Sequence, residues 1–268
     1  VFSCISVTGN AVFLSGQQAV QYQLSNNGAV AVNGIKRALY GSATAQAALR
    51  SLITPTRAHL FEDEYTRVTR RSIDAEAQVS SALAALPALA TSFDSANPLA
   101  NQLKMVARII AARGTLGPRR QVFMVSLGGF DLHDLLPDRH PGLLGNVAGA
   151  IKSFHDATVE LGVADQVTAF TASDFGRTLS SNGDGSDHGW GSHHFVAGGA
   201  VKGRRFYGVA PAVAVNGPDD VGQGRLLPST SVDQFGATLA TWFGVSDTDL
   251  PLVVPNIGNF STRQLGFL

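Results

Sequence analysis

From Gln121 to Thr171 the chain reads strand, loop, helix, strand, and no other stretch restricts the fold so much. Val122 to Leu127 is apolar throughout except at Ser126, the pattern of a strand buried on both faces. A helix is expected over Pro141 to Leu161 and a second strand over Val167 to Thr171. A βαβ unit of this kind crosses over right-handedly. Ligands of such sheets bind just beyond the carboxyl ends of the strands.

Chemistry-bearing residues follow both strands. Gly128-Gly129-Phe130-Asp131-Leu132-His133 comes after the first, and Ser173-Asp174-Phe175-Gly176-Arg177-Thr178 after the second. In an extended segment Asp131 and His133, two apart, project to the same side and can reach one cation. A third stretch, Gly185 to His194, holds Asp187, His188, His193 and His194. Carboxylates and imidazoles are the usual oxygen and nitrogen donors for zinc and similar ions. Adjacent residues Asp187 and His188 diverge in an extended chain, which suits two neighbouring ions, or one ion reached through a turn at Gly189. His193 and His194 adjoin the expected strand at Phe195, where alternation lets only one of them face the site. Asp131, His133, Asp174, Asp187, His188 and one of the last pair, with His194 preferred, are therefore the expected ligands. Two divalent ions would outweigh the three aspartates and leave a positive pocket for an anionic ester. Arg177, three residues after Asp174, either binds that anion or ties a loop as scaffold.

Composition excludes other classes. Lys and Arg together number 20, as do Asp and Glu, and only 15% of the 268 residues are charged. No basic stripe points to nucleic acid. No apolar run reaches the roughly 18 residues of a membrane span. The single cysteine, Cys4, forms no internal disulfide and reads as a small apolar filler in a strand. The chain length fits one α/β domain over 1–268. It begins at Val1, without methionine and inside an apparent strand, so processing or, in preference, truncation at the amino end is expected.

Within that domain, residues 1–36 read as strands and hairpins. The runs Val1 to Val7, Val12 to Leu14, Val20 to Leu24 and Val30 to Val32 are separated by Thr8-Gly9-Asn10, Asn26-Asn27-Gly28 and Asn33-Gly34. Residues 37–116 read as helices: one capped by Ser42, a long one started at Thr54-Pro55, and one started at Asn97-Pro98. The last carries Leu99, Leu103, Val106, Ile109 and Ile110 on one face. Further on, Phe195 to Val201 and Arg204 to Tyr207 are expected strands, and Ser231 is expected to cap a helix ending at Gly244.

Taken together, Gly128 to His133, Ser173 to Thr178 and Asp187-His188-Gly189 resemble the alkaline phosphatase superfamily. More closely they resemble its bacterial, sulfatase-like branch, domain-of-unknown-function family 1501. Val196 to Gly203 and Ser231-Val232-Asp233-Gln234-Phe235, leading into Trp242-Phe243-Gly244-Val245, also match. The resemblance implies a doubly wound, mostly parallel α/β sheet flanked by helices, with a cluster of divalent ions at the strand ends. Zinc is favoured by the histidines, and the carboxylates admit manganese or calcium. By position Asp131 and His133 resemble one ligand group, and Asp174, Asp187 and His188 a second or shared one. Phe175 stands where the superfamily usually has His or Asn. Nothing before Val122 matches the family's amino-terminal Gly-Gly-x-Asp loop or its Ser-His segment. The implied function is hydrolysis of a phosphate or sulfate ester by a periplasmic or extracellular protein, inactive if this piece lacks its nucleophile. The alternative is a metal-stabilised binding or structural module without turnover.

Overall fold

The structure, a computed structural model, describes residues 1–9, 12–16 and 19–268. These residues fall into two compact units, Val1–Ser126 and Leu127–Leu268. The architecture is α/β, with a mixed sheet and flanking helices.

The first unit is built on β1 (Cys4–Ser6), whose Ile5 is fully buried. Its neighbours are β2 (Tyr22–Ser25) and, later in the chain, β4 (Val122–Met124), and both run parallel to it. β3 (Gly28–Ala29) pairs antiparallel with β2 through the turn at Asn26-Asn27, giving the order β3-β2-β1-β4. The sequence suggested a run of hairpins, and among the described residues one of them forms. Parallel neighbours cannot be joined by a tight turn and need a crossover of roughly a dozen residues. Between β1 and β2, Val12–Leu14 is accordingly a 3-10 turn rather than a strand. Asn10, the end of the expected turn after β1, lies outside the described residues. Asn33 and Gly34 open α1 (Asn33–Lys36), which buries Ile35. β4, expected to be buried on both faces, lies at the end of the strand order, and its Val122 is exposed.

Helices formed where local signals were strongest. α2 (Ala43–Ile53) is capped by Ser42, whose Oγ accepts Ala45 N–H at 3.1 Å. α3 (Leu60–Ala84) starts six residues after Thr54, because Asp63 turns its carboxylate back to accept Arg57 N–H at 3.0 Å. α4 (Pro98–Ala111) is capped by Asn97, whose Oδ1 accepts from Leu99 and Ala100. All five residues of its expected apolar face are buried. The short α5 (Arg113–Leu116) closes this stretch. The charged face of α3 is solvated as expected, with Arg67 and Glu64 paired at 3.0 Å.

In the second unit α6 (Leu136–Glu160) is longer than expected and contains Pro141. It buries Ala150, Phe154, Ala157 and Thr158. The strand that follows, β5 (Thr168–Phe170), does not pair with β4. Its partner is β8 (Val196–Gly198), antiparallel. Gly198 permits the close approach at one end of this pair: a Cβ there would stand 2.4 Å from Val167 O. Between them β6 (Gly176–Ser181) and β7 (Ser186–Gly189) form a hairpin with Arg177 opposite His188. Arg204 to Tyr207, expected as a strand, is irregular. α7 (Val232–Phe243) begins with a full capping box from Ser231 and Gln234 and ends at Gly244. It packs through Ala237 on Leu250 of α8 (Leu250–Val253) and on Ile257. Among the described residues no helix is long and apolar enough to cross a membrane.

Candidate metal centre

Two loops of the second unit meet at the site. The first, residues 127–135, leads into α6. Leu132 is buried while Asp131 and His133 are exposed, so the alternation of an extended segment turns both polar side chains the same way. The second is the β6–β7 hairpin. Backbone hydrogen bonds fasten the two: Ser186 N–H donates to Leu132 O at 3.4 Å and Leu136 N–H to Asp184 O at 2.9 Å. Gly185 makes the approach possible, because a Cβ there would lie 2.1 Å from His133 O.

The result is a cluster of Asp131, His133 and His188, one ligand atom from each lying within 4.8 Å of the others. Asp131 Oδ1 is 2.7 Å from His188 Nε2 and 3.0 Å from His133 Nε2, and the two nitrogens are 3.2 Å apart. The hydrogen bond with His188 holds the Asp131 carboxyl below the usual carboxylate range, against partial desolvation. The nearby charges of His188, His133 and Arg177 act in the same direction as the bond. An oxygen and two imidazole nitrogens facing one point make a donor set that suits zinc and its neighbours.

Asp187 sits behind this set. Its Oδ1 is 3.4 Å from His133 Nδ1, the nitrogen turned away from the cluster, and accepts Asn182 Nδ2 at 2.9 Å. A carboxylate on the far nitrogen of a ligating imidazole fixes its tautomer and raises its basicity. Arg177 donates Nη1 to Ser186 O and Nη2 to Phe130 O, both at 2.7 Å, and approaches Asp131 Oδ1 at 3.3 Å. It therefore ties the hairpin to the first loop while adding positive charge beside the carboxylate. Asp174 is exposed on the loop before β6 and is not in the cluster. His194 is also outside it. Its Nδ1 lies 3.4 Å from Thr171 Oγ1, its ring tilts against Phe235, and burial, then the charge of His193, lowers its pKa.

Two participants were missed by sequence reasoning. Asn182 belongs to Asn182-Gly183-Asp184-Gly185, a turn signal in the sequence that forms the four-residue turn between β6 and β7, from which it reaches Asp187. Phe175 stacks flat on His188, with ring centroids 3.9 Å apart and planes 3° from parallel. Only the pairing of Arg177 with His188 brings it there, and no local pattern announces that pairing.

The family described as "Protein of unknown function (DUF1501)" matches residues 14–252. The chain belongs to this family. The matched span of this DUF1501 chain contains Asp131, His133 and His188, together with Phe175, Arg177, Asn182 and Asp187 around them. Comparison with curated proteins and with solved structures returned no match.

Proposed function

We propose that this DUF1501 chain is a metal-dependent hydrolase domain acting on a phosphate or sulfate ester, with Asp131, His133 and His188 as cation ligands. The convergence of their three donor atoms from two separately formed loops carries the reading. A bound divalent cation supplies Lewis-acid polarisation of an ester oxygen. The chain's own residues do the rest. Asp187, 3.4 Å from His133 Nδ1, favours the tautomer that presents Nε2, and Asn182 holds Asp187. Arg177 keeps the two loops in register and adds its charge. One divalent ion with Arg177 outweighs Asp131 and Asp187, so the pocket attracts an anion even with Asp174 outside the cluster. A second ion, drawing on Asp174 or His194, belongs to the same proposal, as does a doubly wound core of the alkaline phosphatase type. Elemental analysis of protein purified from metal-replete medium, together with assays on aryl phosphates, phosphodiesters and aryl sulfates with and without chelator, tests it. Protein without bound zinc, manganese or calcium would refute it.

A metal-stabilised module without turnover is the second reading, favoured by the way the donors bridge two loops that an ion would cross-link. It predicts bound metal and a raised melting temperature, with no activity on any of those esters.

A further inference from the structure

The two histidines of the cluster are held in different ways. His133 has the Asp187 carboxylate 3.4 Å from Nδ1, on the side away from the cluster. His188 has its polar contacts at Nε2, to Asp131 and His133, and among the described residues no hydrogen bond holds its Nδ1. A ligating imidazole must keep its lone pair in the plane of the ring and aimed at the cation. Rotation about the Cβ–Cγ bond swings that lone pair away, and an exposed histidine has little to resist the rotation. The side chain of His188 is 46% exposed.

What covers one of its faces is Phe175. At 3.9 Å and 3° the two rings are in full face contact, so any rotation of the imidazole meets the phenyl face edge-on. Phe175 is itself braced, since the guanidinium carbon of Arg177 lies 5.4 Å from its ring centroid. Arg177 in turn reaches Asp131, which contacts His188. The contacts thus close a circuit from Asp131 through His188, Phe175 and Arg177 back to Asp131.

We infer that Phe175 is a positioning residue of the candidate metal centre: its ring locks the plane of His188 so that Nε2 faces the point shared by Asp131 and His133. For His188 it does by stacking what the Asp187 carboxylate, 3.4 Å from Nδ1, does for His133. The inference rests on the proposed cation site, but the stack itself can be observed without metal. A phenyl face 3.9 Å away shields the His188 ring protons and moves their NMR signals upfield. Zinc alone serves as the binding probe.

The experiment takes the 268-residue chain, its Phe175→Leu variant, which keeps an apolar side chain of similar bulk, and Phe175→Tyr, which keeps the aromatic face. His188 signals are assigned with His188→Gln. The expected result is upfield His188 ring protons in the parent and in Phe175→Tyr, and ordinary shifts in Phe175→Leu. Zinc affinity measured by chelator competition should fall about ten-fold in Phe175→Leu, the usual size of losing an orienting partner, and be restored in Phe175→Tyr. Parent zinc affinity retained in Phe175→Leu, or lost equally in Phe175→Tyr, overturns the inference and leaves the cation site standing. Ordinary His188 shifts in the parent overturn it without any variant being folded. A parent that keeps the upfield shifts yet binds no zinc refutes the cation site, and the positioning role with it.

Discussion

At Gly185 an added Cβ would stand 2.1 Å from His133 O and 2.8 Å from Asp134 N, and backbone cannot yield as a flexible side chain can. Gly185→Ala should therefore force the hairpin away from the 127–135 loop and lower zinc affinity about ten-fold or more. Gly149→Ala is the control. It lies in α6 with nothing within 4 Å of the new Cβ, and should stabilise the protein by about 0.5–1 kcal/mol. Equal zinc titrations for Gly185→Ala and the parent would make the close approach irrelevant to the site. Asp187 supplies a second residue-level distinction. As the structure has it, Asp187 touches the far nitrogen of His133, so Asp187→Asn should weaken zinc binding about ten-fold. His133→Ala, which removes a donor atom, should weaken it much further. Equal losses in the two titrations would assign Asp187 to the ion itself. Asp131, His133 and His188 were legible in the sequence because spacing by two and an Asp-His pair are local facts. The position of Asp187 behind His133, and of Phe175 on His188, depends on how two loops meet, and no spacing records that.

Helices and strands differ in the same respect. Ser42, Asn97 and Ser231 each announced a helix start that the structure contains, because a cap acts on backbone N–H groups two or three residues away. Asn97 is 3% exposed and accepts from two N–H groups, so Asn97→Ala should cost about 1–2 kcal/mol in denaturant melts. Strand partners are chosen at long range, which is why β1 and β2 run parallel where hairpins were expected and β5 pairs with β8. An ion pair with one buried partner adds a pH signature to the first unit. Glu76 of α3 is nearly buried and accepts from Lys36 of α1 and from Ser80 at 2.7 Å. Burial alone would raise its pKa, but the hydrogen bonds and the charge of Lys36 outweigh it and leave the pKa below the ordinary value of 4.5. A depressed folded-state pKa means stability that is present above 4.5 and lost as the pH falls through the lower folded value. Unfolding measured from pH 7 downward should show a steeper acid loss in the parent than in Glu76→Gln. Parallel curves would mean the pair contributes nothing.

On the scale of the whole chain, every donor of the candidate centre belongs to Leu127–Leu268, and the four-stranded mixed sheet belongs to Val1–Ser126. The centre is thus built on a short hairpin and a loop, elements with small apolar cores of their own, and such elements open at low free energy. An ion that binds only the folded arrangement stabilises it by mass action, by about 2.7 kcal/mol when its free concentration is a hundred times its Kd. That corresponds to roughly a hundred-fold slower exchange for amides released by opening of the site. Hydrogen exchange with and without zinc should accordingly show slowing at 130–136 and 184–189, where Leu136 N–H and Ser186 N–H join the two loops. In His188→Ala, which removes one donor atom, zinc should leave those rates nearly unchanged. Parent amides in both stretches that exchange at the same rate with and without zinc would show that the loops bind no ion, whatever the protein's activity on esters.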